Sequence, residues 1–88
     1  MKYTVVWKLR LEAKLAAIWL DAADKDAVAQ AANEIERRLR TDPSSAGESR
    51  RLETRILAIP PLSVVFEVSE DDRQVVILSL RHSAKRSP

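Results

Sequence analysis

The apolar residues of this chain change their spacing twice, and those changes restrict the folds that it can adopt. Residues 3–7 are β-branched and aromatic, which predicts a first strand. Apolar residues then recur at helical spacing, at Leu11, Leu15, Ile18, Trp19 and Ala22. After residue 50 the pattern returns to alternation, which is typical of strands. A strand, then helices, then strands within 88 residues indicate a single α+β domain.

A second helix is predicted after a short acidic link. Asp24 or Asp26 can cap its N-terminus, where a carboxylate is favourable. Its apolar stripe consists of Val28, Ala31 or Ala32, Ile35 and Leu39. Near its C-terminus, Arg37, Arg38 and Arg40 complement the negative end of the helix dipole. Because the link is so short, we expect the two helices to form an antiparallel hairpin.

A loop and three further strands are predicted for the second half of the chain. Pro43 blocks continuation of the helix, and Gly47, the only glycine, tolerates positive φ. Strands are predicted near residues 50–59, over 62–68 and over 74–81, with Pro60-Pro61 and a polar turn at 70–73 between them. We therefore expect a mainly antiparallel four-stranded sheet with the helical hairpin on one face. The domain is predicted to span residues 1–82, followed by a short basic tail at 83–88.

Rare residue types exclude several kinds of site. The chain has no cysteine, which excludes disulfides and thiolate metal sites and fits a reducing cytoplasm. One histidine, His82, cannot build a multi-histidine zinc site, and one glycine cannot build a P-loop or a dinucleotide fingerprint. No apolar run approaches the roughly 20 residues of a membrane helix, and the N-terminus does not resemble a secretory signal. We expect a cytoplasmic protein without a cofactor or a metal.

Alternation divides each of the later strands between two faces of the sheet. The face under the helices is predicted to hold Leu52, Thr54, Ile56, Ala58, Leu62, Val64, Phe66, Val68, Val76, Leu78 and Leu80. The open face is predicted to hold Arg51, Glu53, Arg55, Glu67 and Arg81, with an apolar strip of Leu57, Val65, Val75 and Ile77. The net charge of +2 comes entirely from an excess of basic residues in 37–88. The open face is therefore a candidate site for phosphates, nucleic acid or an acidic partner. The alternatives are a solvated basic rim, or a strip covered by the C-terminal segment or by a homodimer partner.

The predicted open face holds groups suited to RNA cleavage. Attack by a 2′-hydroxyl needs a base, an acid for the leaving oxygen and cations on the phosphate. Arg51, Arg55 and Arg81 can bind phosphate, and Glu53 can act as the base; a cross-strand ion pair is the alternative role for Glu53. Histidine suits proton transfer at neutral pH. His82 is therefore a further catalytic candidate, although alternation places it on the opposite face from Arg81.

Two other features have simpler structural explanations. Glu70, Asp71 and Asp72 offer oxygen ligands for a divalent cation, but we expect an acidic hairpin turn exposed to water instead. Trp7 and Trp19 offer rings on which bases can stack. Each lies on an apolar stripe, however, so we expect both to pack in the core.

Several segments together carry a resemblance to a known family. They are residues 3–7, Ala31 with Ile35 and Leu39, Asp42-Pro43, Gly47 with Arg50 and Leu52, residues 55–57, residues 62–68, Asp72-Arg73, residues 75–78 and Arg81-His82. In this order they resemble the RelE/ParE superfamily of bacterial toxins over nearly the whole chain. The resemblance implies a small toxin held inactive by an antitoxin that wraps its sheet and helices.

The resemblance, together with the basic open face, leads us to predict a ribosome-dependent endoribonuclease first and a second class of toxin as the alternative. RelE-like members cut messenger RNA in the ribosomal A site with basic side chains on the sheet face, which implies a ribosome-dependent endoribonuclease. ParE-like members instead inhibit DNA gyrase without a known catalytic constellation, and some relatives have lost toxicity. Ser63 stands where the family often has an arginine, and no aromatic residue follows Phe66. These departures motivate the gyrase inhibitor and the non-toxic antitoxin-binding relative as alternatives.

Overall fold

The fold is a five-stranded sheet with both helices packed on one face. A computed structural model describes residues 2–43, 48–49 and 54–82. The elements are β1 (Thr4–Trp7), α1 (Leu9–Asp21), α2 (Lys25–Thr41), β2 (Glu48–Ser49), β3 (Thr54–Ile59), β4 (Leu62–Ser69) and β5 (Gln74–His82). The strand order is β1-β5-β4-β3-β2; β1 runs parallel to β5 and the other pairs are antiparallel. The predicted α+β fold is confirmed, and β2 adds one strand to the four that were expected.

Side-chain hydrogen bonds stabilise the end of α1 and the start of α2. The Asp24 carboxylate accepts a hydrogen bond from the Ala27 N–H at 3.0 Å, which confirms the predicted N-terminal cap of α2. At the C-terminus of α1, Lys25 Nζ donates to the carbonyl oxygens of Leu20 and Ala22 at 3.0 and 3.2 Å. One lysine thus joins the end of α1 to the start of α2 and helps to set the hairpin.

The core lies between the helices and the sheet, and every buried side chain in the described part of the chain is apolar. The helices contribute Leu11, Ala22, Val28, Ala31, Ile35 and Leu39, and the sheet contributes Leu57, Leu62, Val64, Phe66, Val75, Ile77 and Leu80. The predicted stripe of α2 and the predicted buried face of β4 are confirmed, with Val68 half-buried at the edge.

The faces of β5 differ from the prediction because the strand contains a β-bulge. Phe66 pairs with Ile77 and Val65 pairs with Ser79, so Leu78 is an extra residue without a partner in β4. The bulge lets Val75, Ile77 and Leu80 all face the core, although their spacing breaks strict alternation. The prediction that Val76 and Leu78 are core residues was therefore wrong.

The predicted faces of β3 were inverted. Leu57 is 4% exposed and pairs with Val64, and Arg55 pairs with Phe66, so both lie on the helix side of the sheet. Thr54, Ile56 and Ala58 lie on the open face instead. This register places Leu57 and Ile59 against the core in place of the smaller Thr54 and Ala58, which buries more apolar area. Leu52, the remaining predicted core residue of this strand, lies outside the described residues.

Candidate functional site

The structure separates the predicted site residues that it describes. Arg81 is exposed and pairs with Ser63 on the open face, as predicted. Arg55 lies on the helix side, and His82, exposed at the end of β5, pairs with the buried Leu62 on that same side. Arg51 and Glu53 lie outside the described residues, as does the predicted basic tail. The catalytic roles of Arg51, Glu53, Arg55, Arg81 and His82 stay predictions, but Arg55 and Arg81 do not share a face.

The open face carries an aliphatic strip, which here denotes Val6, Ile56, Val65, Val76 and Leu78. These side chains are half-buried and do not pack against the core. Val6 pairs with Val76 across β1 and β5, and Ile56 pairs with Val65 across β3 and β4. Sequence reasoning predicted such a strip but assigned it to Leu57, Val65, Val75 and Ile77, of which only Val65 lies on the open face. Val6 was missed because the first strand was not divided into faces.

Charge on the open face is polarised along β4. Arg81 lies beside Ser63 at one end, while Glu67 lies at the other, where it pairs with Thr54 and Val76. Ser63 and Glu67 are four positions apart along β4, which corresponds to about 13 Å. Near Glu67 an open concavity of about 590 Å³ is lined mainly by polar and acidic groups, including Glu70 and Asp71. This concavity is therefore acidic, and Arg81, the arginine predicted to bind phosphate on this face, does not line it.

The acidic turn between β4 and β5 is held by side-chain contacts. Tyr3 Oη donates to Glu70 Oε1 at 2.8 Å, and the Arg73 guanidinium lies 5.5 Å from the centre of the Tyr3 ring. The hydrogen bond to Glu70 raises the pKa of Tyr3. Ser69 Oγ also donates to Asp72 at 3.2 Å. Among the described residues, no group of three or more histidine or acidic side chains is placed to hold a metal ion.

A second apolar surface is the groove between α1 and α2. It encloses about 390 Å³ and is lined by Glu12, Leu15, Ala16, Trp19, Val28, Ala29, Ala32 and Asn33. Trp19 is 41% exposed here, with Lys25 Nζ 5.4 Å from its ring centre, so the prediction that it packs in the core was wrong. Trp7 does pack against the core, as predicted.

The arginines at the end of α2 are engaged in ion pairs on the helix surface. Glu34 accepts from Arg37 and from Arg38, the latter at 2.9 Å, and Arg40 lies 3.7 Å from Glu36. Hydrogen bonds from Arg37 and Arg38 lower the pKa of Glu34 to about 2. These basic residues thus lie on the opposite side of the domain from the open face. No helix among the described residues is long and apolar enough to span a bilayer.

Comparison with solved structures identifies the fold. No family model matches the sequence, and no curated protein matches it. A chain of the toxin–antitoxin complex RelBE2 from Mycobacterium tuberculosis is similar over 97% of this chain and 95% of its own, with 18% identity and a TM-score of 0.77. The isolated E. coli RelE toxin is similar over 97% of this chain and 87% of its own, with 16% identity and a TM-score of 0.66.

These similarities extend over nearly the full length of both chains, so they concern the whole domain rather than one motif. A mutant of the E. coli toxin in the free state shows the same likeness, with 14% identity and a TM-score of 0.65. The order of strand, helical hairpin and meander that suggested the resemblance is the order that the structure has. The protein therefore has the RelE/ParE-like toxin fold.

Proposed function

We propose that this protein is the toxin of a type II toxin–antitoxin pair and that a cognate antitoxin holds it inactive. The observation that carries the proposal is the full-length similarity to RelE toxins, one of them from a complex with its antitoxin. Two apolar surfaces support a bound partner: the aliphatic strip of the open face and the groove between α1 and α2. A toxin of this kind would act in the cytoplasm.

For the mode of action, the open face favours a protein target such as DNA gyrase. Its described centre is aliphatic, and Arg81 is the one cation that β3, β4 and β5 place on it. Surfaces that bind RNA backbone usually present several cations together. Half-buried aliphatic side chains instead suit contact with another protein. We therefore favour an inhibitor that binds its target without cleaving RNA.

Ribosome-dependent cleavage of messenger RNA is the second candidate, and Arg81 supports it. Arg81 pairs with the hydroxyl-bearing Ser63 across β4 and β5 and lies two residues from Ser79. An arginine among polar residues can make bidentate contact with a phosphate. In this mode Arg81 would stabilise charge on the phosphate, and Arg51 with Glu53 would be the first candidates for the remaining roles. Both candidates can be separated in one experiment.

The experiment is pulse-labelling of protein and DNA synthesis after tightly induced expression in a bacterial host. Arg81→Ala tests the phosphate contact, with Lys2→Ala as a control that removes one charge far from it. Val65→Lys tests the aliphatic strip, with Gln30→Lys as a control that adds the same charge at an exposed position on α2. Circular dichroism verifies that each variant folds.

We expect early loss of DNA synthesis that Val65→Lys abolishes and Arg81→Ala leaves intact. Early loss of protein synthesis that Arg81→Ala abolishes would instead support the endoribonuclease. If neither pathway is affected, the proposal that the protein is toxic would be wrong. A non-toxic relative that binds an antitoxin would then be the remaining alternative. Rescue by co-expression of a neighbouring small acidic reading frame tests the antitoxin separately.

A further inference from the structure

The large apolar side chains that remain exposed in the described part of the chain all belong to α1. Leu9 is 80% exposed, Leu20 is 68% exposed and Trp19 is 41% exposed. Leu9 and Leu20 lie about three helical turns apart, so they share one side of the helix. Exposed alanines occupy the same side between them. We call this set the outer stripe: Leu9, Ala13, Ala16, Ala17 and Leu20.

The outer stripe faces away from the sheet. Leu11 is buried and Leu15 and Ile18 are half-buried on the opposite side of α1, where they pack against the core. α1 therefore has apolar residues on two opposite sides, and the core explains only one of them. A leucine at each end of an otherwise smooth alanine surface is a contact surface without a partner in the described chain.

Most of the outer stripe reads the same in both directions along the helix. Leu9 and Leu20 stand at its two ends, and Ala13 and Ala16 lie at matching distances from them. Ala17 has no such counterpart, because Glu12 occupies the matching position. Two such helices placed antiparallel bring Leu9 of one copy against Leu20 of the other, twice, with Ala13 opposite Ala16 near the two-fold axis. A surface that is complementary to itself is what a two-fold dimer requires. The small central residues also allow the helix axes to approach closely.

The charges that flank the stripe favour the same arrangement. Arg10 and Asp21 lie on one flank of α1 near its opposite ends, and both are exposed. In an antiparallel pair, Arg10 of each copy faces Asp21 of the other, whereas a parallel pair would place like charges together. Lys14, further round that flank, lies near its own copy and weakens the contact slightly.

We propose that α1 pairs with α1 of a second copy through the outer stripe, in an antiparallel and transient homodimer. The 13 residues of α1 span about 20 Å, so the contact is smaller than the roughly 1,200 Å² of a standard stable interface. The dimer should therefore dissociate on dilution. This inference does not depend on whether the protein is toxic.

Sedimentation velocity over a range of protein concentrations tests the dimer. We expect the sedimentation coefficient of the wild type to rise with concentration. Leu20→Glu and Leu9→Glu should abolish that rise, while Gln30→Glu, which adds the same charge at an exposed position on α2, should leave it unchanged. A wild type that stays monomeric, or a Leu20→Glu variant that still dimerises, would overturn the proposal.

Charge reversal tests the flanks and does not depend on the leucines. Arg10→Asp and Asp21→Arg should each weaken self-association, because each places like charges face to face across the two-fold axis. The double variant should recover the association of the wild type. Two single effects that simply add in the double variant would contradict the antiparallel pairing.

Cysteine cross-linking tests the orientation, since the chain has no native thiol. We expect Leu9→Cys mixed with Leu20→Cys to form a disulfide-linked dimer under mild oxidation. Either variant alone should stay unlinked, because its thiols would lie about 16 Å apart in the antiparallel pair. Rapid self-linking of Leu9→Cys would indicate a parallel pair and contradict the proposal.

Discussion

α1 and α2 belong to one hairpin and bury similar stripes, yet their outer faces have opposite chemistry. The outer face of α2 carries ion pairs between Glu34 and two arginines and between Glu36 and Arg40. Its N-terminus is capped by Asp24. α1 begins after Lys8 without a side-chain cap and exposes the outer stripe.

Burial against the sheet therefore does not explain the distribution of apolar residues in both helices. The polar outer face of α2 is what a helix at the surface of a domain requires in water. Leu9 and Leu20 contribute nothing to the core of the monomer, because they point away from it. The apolar outer face of α1 is therefore best explained by a partner, whereas α2 is explained by the fold alone.

The largest expected effect compares two leucines of α1. Leu11→Ala should reduce the free energy of unfolding by about 3 kcal/mol, because it leaves a cavity in the core where the side chain is 1% exposed. Leu20→Ala, the same substitution on the outer stripe, should change it by less than about 0.5 kcal/mol. Urea denaturation at low protein concentration, where the chain is monomeric, measures both. Equal losses would mean that Leu20 is buried in the monomer and that the two faces of α1 do not differ.

The N-terminal cap of α2 gives the next largest effect. Asp24→Ala should cost about 1 kcal/mol, because the Ala27 N–H loses its acceptor at the helix end. Asp26→Ala is the matched control: it removes a carboxylate from the same first turn, where it interacts with the helix dipole. We expect a smaller loss for Asp26→Ala in thermal unfolding. If the two variants lose the same stability, the cap contributes nothing beyond the dipole.

Most of the architecture could be predicted from the sequence because, in several elements, polar residues show which face is exposed and which is buried. In β4, Ser63 and Glu67 interrupt the apolar residues on one face, so alternation identified Leu62, Val64 and Phe66 correctly. In α2, charged residues separate Val28, Ala31, Ile35 and Leu39, and the buried stripe followed from helical spacing. The order of the elements was predicted from the changes in apolar spacing, and that order carried the resemblance to the RelE/ParE superfamily.

The candidate site could not be predicted with the same success, because it depends on strands without such markers. Residues 75–78 and 56–59 are all apolar, so each strand can be divided between the faces in either way. The register with β4 decides between them, and that register includes a bulge at Leu78 that no local pattern announces. As a result the aliphatic strip was expected from largely the wrong residues, and Arg55 was placed on the wrong face.

The smallest expected effect concerns pH and the ion pairs of α2. The pKa of Glu34 is lowered to about 2 by hydrogen bonds from Arg37 and Arg38, so the unfolded chain binds a proton more readily than the folded one. The stability that Glu34 contributes is therefore complete above about pH 4.5 and is lost as the pH falls through about 2. The effect is small because the pair is partly exposed to solvent.

Glu34→Gln should accordingly lower the urea midpoint slightly at pH 7, and the wild type and the variant should converge as the pH approaches 2. The matched background is Arg37→Gln with Arg38→Gln, which removes the hydrogen bonds that cause the shift. In that background, the effect of Glu34→Gln on the urea midpoint should not change with pH between about 4.5 and 2, because without the arginines nothing lowers the pKa of Glu34. If the pH-dependent difference persists without the two arginines, the ion pairs do not cause it. The charged outer face of α2 would then stabilise the helix less than its contrast with the apolar outer face of α1 suggests.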